Sequence, residues 1–288
     1  MTGICLLNKP EGWTSHDAVA KSRRIFGEKR IGHGGTLDPM ATGVLPLFVG
    51  RATRAVEFIE RADKEYVAGL RPGIVTDTMD TTGSVLEAKP CSVTEAELLA
   101  LLPAFIGTRE QLPPMYSAKK VAGKKLYEYA RAGKEIERAA AVITINELEL
   151  IGRRGEDFLI RVGCSKGTYV RALCDEIGRA LGCGAAMSSL TRTRFGNYRL
   201  EDCVTMDELI ASDDPAALLL PTDSMFSELP AVTVDASGEK KCRCGADVPF
   251  YGGESGRVRV YAENGDFLML AEAADGVLHA VKSFYEVG

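Results

Sequence analysis

The sequence predicts an α+β fold, because segments typical of strands and segments typical of helices follow one another in irregular order. Apolar or alternating runs indicate strands at 4–8, 44–49 and 65–71. Apolar residues recur at helical spacing over 15–27 and 170–182. A doubly wound parallel sheet would need strands and helices in regular alternation, and the chain does not show that alternation.

The composition is that of a globular protein with a sizeable core. The chain has 288 residues, of which 45% are hydrophobic and 26% charged, as in ordinary folded domains. No apolar run approaches the ~20 residues that span a bilayer. Residues 1–10 lack the basic and long apolar regions of a secretory signal. We therefore expect a soluble, cytoplasmic protein with no membrane partner.

Local patterns predict the elements of the N-terminal part. Ser15 is the predicted N-cap of the first helix, which Gly27 ends. In chain order we expect a strand at 4–8, a helix at 15–27, a loop at 31–43, a strand at 44–49, a helix at 52–62, a strand at 65–71 and a helix at 92–106 opened by a capping box at Ser92. The loop is rich in Gly, Thr, Asp and Pro and has no period.

The C-terminal part is divided by an acidic stretch at 201–229, which contains a short helix capped at Thr205. In chain order we expect an irregular basic segment at 111–125, strands at 142–151 and 158–164, a helix at 170–182, and then strands at 258–262, 267–270 and 277–281. We therefore predict a large domain over 1–229 and a small β-rich domain over 230–288.

Charge is distributed unevenly along the chain. The net charge is −5, yet residues 201–239 hold ten acidic residues and no Lys or Arg, which leaves about +5 elsewhere. Basic residues cluster at 21–30, 119–134 and 192–199. A polyanion responds to the field at its contact face, so the acidic pI does not exclude a nucleic acid. By charge alone, the clusters are equally compatible with solvated helix faces.

Cysteines and histidines give no sign of a metal site. Of eight cysteines only Cys242 and Cys244 lie close together, and the three histidines are not placed to complete a zinc set. We expect reduced thiols and no metal. No glycine-rich dinucleotide or phosphate motif is present, so no cofactor is expected.

Three polar clusters are candidates for chemistry. Asp38 lies in the loop at 31–43 together with His33, and it could serve as a nucleophile or as an acid or base; an Asp-Pro turn is the alternative. Arg171 begins a helix after a strand and could fix a carboxylate and keep it ionised, or lie on a solvated face. Tyr66 could stack on an extruded base or fill the core.

In combination these residues resemble the bacterial tRNA pseudouridine synthase B (TruB) family. The matching motifs, in the family's order, are Asn8-Lys-Pro-Glu-Gly-Trp-Thr-Ser15, Gly32-His-Gly-Gly-Thr-Leu-Asp-Pro-Met-Ala-Thr-Gly-Val-Leu45, Thr76-Asp-Thr-Met-Asp80, Pro113-Pro-Met-Tyr-Ser-Ala-Lys119, Ser165-Lys-Gly-Thr-Tyr-Val-Arg171, and Leu190-Thr-Arg192 with Gly196. The resemblance covers roughly 3–200 and continues weakly to the end. It implies a mixed, largely antiparallel central sheet flanked by helices, with a small PUA-like C-terminal domain.

The resemblance also implies roles for individual residues. Asp38 would be the nucleophile that isomerises uridine 55 in the tRNA T-loop, with Arg171 and Tyr66 beside it. The residues expected around the flipped nucleotide are His33, Tyr169, Leu190, Lys9, Asp80 and Arg54. An insertion at 111–138, with Lys119 and Lys120, would close on the RNA, and the C-terminal domain would touch the acceptor end. The family needs no cofactor, and we expect a monomer with no protein partner.

One departure and three alternatives accompany this resemblance. The chain has Pro72-Gly73 where the family often has Leu-Gly, so the strand at 65–71 should end or bulge at Pro72. The alternatives are a guide-RNA-dependent synthase, a tRNA-folding chaperone without chemistry, and an Asp-nucleophile phosphatase. A phosphatase of this kind requires an Asp-x-Asp motif at the end of a strand, and no such motif surrounds Asp38. The chaperone differs in that its activity would survive replacement of Asp38.

Overall fold

The structure is a computed structural model that describes residues 1–117, 119–121, 123–252 and 255–285. Parts of two predicted segments, the insertion at 111–138 and the C-terminal domain at 230–288, therefore lie outside the described residues. The helices are α1 Ser15–Phe26, α2 Val56–Ile59, α3 Glu95–Leu101, α4 Leu126–Arg131, α5 Val170–Ala180, α6 Met206–Ala211 and α7 Ala236–Arg243.

The strands are β1 Gly3–Lys9, β2 Ile31–His33, β3 Thr42–Val49, β4 Lys64–Pro72, β5 Ile74–Thr76, β6 Val85–Ala88, β7 Gly107–Gln111, β8 Lys120–Val121, β9 Lys124–Lys125, β10 Ala141–Arg154, β11 Asp157–Cys164, β12 Ala185–Phe195, β13 Tyr198–Arg199, β14 Val204–Thr205, β15 Ala231–Val234, β16 Val248–Pro249, β17 Gly256–Ala262, β18 Phe267–Ala274 and β19 Val277–Ser283.

The central sheet is mixed and largely antiparallel, which confirms the expected α+β class. Its strand order is β14-β1-β3-β12-β4-β11-β10-β7, with β2 beside β3 and β13 beside β12. Only the β1–β14 and β3–β12 pairings are parallel among its described strands. Apolar residues on one face of this sheet pack with α1, α3 and α5 into the main core.

The strand at the centre of the sheet, β12, was absent from the sequence prediction. It lies between β3 and β4 and pairs with both. Its sequence, AAMSSLTRTRF, is rich in Ser, Thr and Arg, so it lacks the continuous apolar run by which a buried central strand is usually recognised. Most of these polar side chains hydrogen-bond other strands of the sheet, as Ser188 does with Asp157 and Thr193 with Glu65, and Arg192 lines the pocket described below.

Two predicted helix caps were displaced from their true positions. Thr14, and not Ser15, caps α1, since Thr14 and Asp17 form the reciprocal pair of a capping box. The Ser15 hydroxyl instead pairs with the backbone of Leu37, accepting from its N–H at 2.9 Å. In the same way Thr94, and not Ser92, caps α3, through a capping box with Glu97.

Several other boundaries differ from the prediction, while the end of β4 does not. The loop at 31–43 begins with β2, and β3 starts inside it at Thr42. The predicted helix at 52–62 is a 3₁₀ turn followed by the single turn of α2. The basic segment at 111–125 contains the β8–β9 hairpin. As expected, β4 ends at Pro72.

The C-terminal strands form a second sheet in the order β15-β17-β18-β19-β16, with α7 against it. The three strands predicted there are β17, β18 and β19, whereas β15, α7 and β16 were missed. This sheet packs on the back of the central sheet through aromatic rings. Phe226 contacts Phe58 edge to face at 5.3 Å and lies 5.9 Å from Phe284, so the two sheets share one apolar cluster.

Candidate active site

A pocket of about 540 Å³ opens above the central sheet and gathers most of the predicted site residues. Its walls come from the loop after β2, from α2, from β4 and β12, and from the junction between β11 and α5. Asp38, Tyr66, Tyr169, Arg171 and Leu190 all line it. These residues are up to 152 positions apart in the sequence, and the sheet brings them to one place.

The loop that carries Asp38 is held from three sides. Ser15 binds the backbone of Leu37, just before Asp38. Gly12 N donates to the carbonyl of Pro39 at 2.8 Å, just after it. The Lys9 ammonium donates to the carbonyls of Pro10, Trp13 and Pro39. The loop is thus fixed through its backbone, and the Asp38 carboxylate is left for the pocket.

Arg171 joins two carboxylates into one charged network. Its Nη2 lies 3.4 Å from Asp38 Oδ2, and its Nη1 lies 3.6 Å from Asp80 Oδ2. Nη2 also donates to the Tyr116 carbonyl at 2.6 Å. The Asp80 side chain is buried and accepts from the hydroxyls of Thr78 and Thr82. Asp80 therefore anchors the guanidinium that faces Asp38.

Opposing influences act on the pKa of Asp38. Burial raises it above its ordinary value, and the neighbouring Asp80 carboxylate raises it further, while Arg171 and Lys9 lower it. Arg171 thus favours the ionised carboxylate, as predicted, while desolvation opposes it. That Arg171 keeps Asp38 ionised stays a prediction.

Tyr66 lies on β4 opposite Arg192 of β12, and both side chains line the pocket. Burial raises the pKa of the Tyr66 phenol, although the nearby Arg192 guanidinium and its hydrogen bond lower it. The phenol is therefore protonated at neutral pH. A neutral phenol is a hydrogen-bond donor and an aromatic surface rather than a ready base.

Tyr169 and Leu190 line the pocket as predicted, and Tyr169 is held in place by a residue that the prediction missed. Gln111, at the end of β7, is buried and forms two hydrogen bonds with the Tyr169 backbone, at 2.8 and 3.1 Å. The Arg171 guanidinium lies 5.9 Å from the Tyr169 ring centre. The start of α5 is thereby fixed at the pocket wall.

Other predicted residues lie beside the pocket or away from it. Lys9 is fully buried beneath the Asp38 loop and is absent from the lining formed by the described residues; burial lowers its pKa to about 8. His33 is half-buried on β2, and burial lowers its pKa. Lys119 is part of the pocket lining. Lys120 and Arg54 are exposed, and neither belongs to the lining formed by the residues that the structure describes.

The polar residues of the lining that the prediction did not assign to the site include Lys64, Ser117, Ser165 and Arg192. Within the described residues, the buried Ser117 hydroxyl and the Nε of Arg171 have no hydrogen-bond partner. Burial lowers the pKa of Lys64 to about 8. The Leu190-Thr-Arg192 motif was the available signal for Arg192, but a charged residue in a segment of alternating Arg and Thr is usually assigned to the solvent face.

Two negative findings apply to the described residues. They contain no group of three or more His, Cys, Asp or Glu side chains arranged to hold a metal ion. No helix among them has the length and apolar character needed to cross a membrane.

Comparison with known families identifies the chain. The model of the TruB family pseudouridylate synthase N-terminal domain matches residues 23–170, and that of the tRNA pseudouridylate synthase B C-terminal domain matches 171–227. The mixed sheet with an aspartate loop over its pocket is thus the fold of a pseudouridine synthase. The chain belongs to the TruB family.

Curated relatives and solved structures agree with this assignment. The tRNA pseudouridine synthase B of Aromatoleum aromaticum is 45% identical over 94% of this chain and 88% of its own. That of Thiobacillus denitrificans is 45% identical over 96% and 93%. A chain of an H/ACA RNP bound to a substrate RNA containing 2′-deoxyuridine aligns with a TM-score of 0.74 at 26% identity, covering 99% of this chain and 85% of that chain.

Proposed function

We propose that the protein converts uridine 55 in the T-loop of tRNA to pseudouridine, with Asp38 as the nucleophile. The observation that carries this proposal is the Asp38–Arg171–Asp80 network at the wall of a pocket large enough for a nucleotide. The names of the curated relatives supply the tRNA substrate and, through the family, the position in the T-loop.

The reaction is an isomerisation that needs no external group. The N1–C1′ bond of the uridine breaks, the uracil turns, and C5 forms a new bond to C1′. The hydrogen on C5 leaves as a proton, and N1 takes up a proton. No electrons are gained or lost, so the reaction calls for no cofactor. Asp38 supplies the carboxylate that attacks, and Arg171 holds it in position.

The pocket residues fit a nucleotide that has been extruded from its loop. Flipping costs a few kcal/mol of unstacking, and stacking on an aromatic ring returns about 1–3 kcal/mol. Tyr66 and Tyr169 offer such rings, and Leu190 offers an apolar wall.

We further propose that two regions outside the pocket hold the tRNA. The insertion at 111–138 supplies Lys119 and Lys120 for phosphate contacts, which makes binding salt-dependent. The C-terminal sheet, as part of a domain over 230–288, contacts the acceptor end, and 1–229 forms the catalytic domain. His33, Lys9 and Arg54 act in support, His33 and Lys9 beside the pocket and Arg54 at the RNA surface. We place the protein in the cytoplasm as a monomer.

The test is to locate the product in an unmodified tRNA transcript incubated with the purified protein alone. Carbodiimide labelling and primer extension should give a stop one nucleotide 3′ of position 55, and a transcript with cytidine at 55 should give none. A stop elsewhere would contradict the site assignment.

The guide-RNA-dependent alternative is favoured by one observation, which is the likeness to chains of H/ACA RNP structures. The same experiment separates the two. Modification of the free transcript without guide RNA or added proteins excludes the alternative, while modification only after their addition would support it. Binding and refolding of tRNA without any product would instead indicate a chaperone.

A further inference from the structure

Arg192 is the largest fully buried side chain among those described, with 1% of its surface exposed. A buried cation is costly unless other groups compensate its charge. In the part of the chain that the structure describes, carbonyl groups and the Tyr66 phenol take that role, and no carboxylate does. Because burying this guanidinium costs free energy, we expect Arg192 to have a function in the protein.

The guanidinium of Arg192 connects three parts of the site. Its Nε donates to the Val44 carbonyl at 2.7 Å, and its Nη2 donates to the Gly35 carbonyl at 3.2 Å, in the loop that leads to Asp38. Tyr66 is its cross-strand partner on β4, both side chains line the pocket, and the guanidinium opposes the rise in the pKa of the phenol. Because arginine only donates, it can approach only an acceptor site of the phenol oxygen. The Tyr66 O–H then points away from the guanidinium.

The local backbone is built around this side chain. The β12–β4 register shifts between Arg192 and Arg194, so a bulge at Thr193 separates the two arginines. After the bulge, Phe195 lies under the guanidinium at 4.7 Å. On the other side, a Cβ on Gly35 would lie 3.1 Å from Phe195 and 3.4 Å from Arg192 Nη1. The glycine therefore leaves room for the stacked pair.

We propose that Arg192 is a positioning residue that acts through Tyr66, by directing the phenol O–H into the pocket. This rests on the proposed function. Its consequence is that the two side chains work as one unit. Removing either side chain should slow the reaction almost as much as removing both. Without the arginine the phenol O–H points in the wrong direction, and without the phenol the arginine has no group to orient.

A double-mutant cycle tests the unit. The single-turnover rate of pseudouridine formation is measured for wild type, Arg192→Gln, Tyr66→Phe and the double variant. We expect each single change to slow the rate by about 100-fold, and Arg192→Gln to cost less than about threefold in the Tyr66→Phe background. Affinity for tRNA should stay within about twofold in all of them. If the fold loss in rate of the double variant equals the product of the two single losses, the proposal is wrong.

Two controls separate positioning from simple loss of stability. Leu98→Ala removes a fully buried side chain from α3, away from the pocket. Combined with Tyr66→Phe, it should reduce the rate by the product of the two single losses. Arg192→Lys keeps the charge and should recover part of the rate. If Arg192→Gln does not fold, the cycle is run with Arg192→Lys, and the same non-additivity is required.

A readout without catalysis distinguishes failure of this inference from failure of the proposed function. The protein is labelled with 3-fluorotyrosine, and the resonance missing in Tyr66→Phe is assigned to residue 66. That resonance should move in Arg192→Gln and stay in place in Leu98→Ala. An unmoved resonance overturns the inference even in an active enzyme, whereas an inactive wild type with a moved resonance contradicts only the proposed function.

Discussion

Replacing Arg171 by methionine should move the acid limb of the pH–rate profile to higher pH. In the proposed mechanism the ionised form of Asp38 attacks, so the rate should rise with pH through its pKa. Burial and Asp80 already raise that pKa, and Arg171 opposes them. Without the guanidinium two carboxylates share the site, and Asp38 holds its proton to higher pH.

The size of the effect follows from the geometry. At 3.4 Å between Arg171 Nη2 and Asp38 Oδ2, an effective dielectric constant of about 20 gives an attraction of about 5 kcal/mol. The Asp38 side chain is 37% exposed, and solvent screening reduces this to roughly 2–3 kcal/mol. At about 1.4 kcal/mol per pKa unit, the limb should move by about two pH units.

The assay is the single-turnover rate with saturating tRNA transcript at a series of pH values, with circular dichroism to check folding. Arg171→Lys is the matched control, because it keeps the positive charge but lacks the two-pronged guanidinium that reaches both carboxylates. The acid limb of its pH–rate profile should move less than that of Arg171→Met. A rate that falls equally at every pH, with the limb in its original place, would refute the electrostatic role of Arg171.

Three further outcomes are expected. Asp38→Asn should raise the melting temperature while abolishing activity, since the raised pKa means that the ionised carboxylate opposes folding above its unfolded value of 3.8; a lower melting temperature would contradict this. Lys9→Met should lower the free energy of unfolding in urea by about 1–3 kcal/mol, because three carbonyls lose their donor; an unchanged midpoint would contradict it. Gly43→Ala, at φ 103° and with its Cβ against the Arg192 carbonyl, should destabilise by about 1–3 kcal/mol or more, which thermal unfolding would measure.

The reactive part of the site was predictable because its residues lie in motifs of restricted composition. Asp38, Tyr169, Arg171 and Leu190 each stand in such a motif, and the structure brings them to one pocket with Tyr66, which lies outside the motifs. Asp80 was also predicted, and its burial gives it the role of anchoring Arg171.

The supporting contacts could not be recognised in the same way. Arg192 stands in the Leu190-Thr-Arg192 motif, yet its sequence position does not show that it is a buried cation held by a backbone carbonyl, and the same is true of Lys64. A carbonyl partner leaves no trace in the sequence. Gln111 acts on the backbone of Tyr169 across 58 positions, which no local pattern encodes. Such contacts depend on the tertiary arrangement, and here they decide how the motif residues are oriented.

The fold shows the same limit. Strands with apolar runs and helices with apolar spacing were found, while β12 was missed because its Ser, Thr and Arg residues interrupt the apolar run. The cap of α1 was assigned one residue too late, although the acidic partner Asp17 stands three positions after Thr14. For α3, both Ser92 and Thr94 have a glutamate three positions on, so the pattern alone did not decide between them.

The central claim is that Asp38 drives the isomerisation of uridine in tRNA. Formation of the C5–C1′ bond must expel the hydrogen on C5, so tritium release from a transcript labelled with [5-³H]uridine measures the reaction directly. The purified protein without cofactors should release about one equivalent of tritium per tRNA, and Asp38→Asn should bind the same transcript and release none. Release by Asp38→Asn at the wild-type rate, or none by folded wild type that binds tRNA, would contradict the claim.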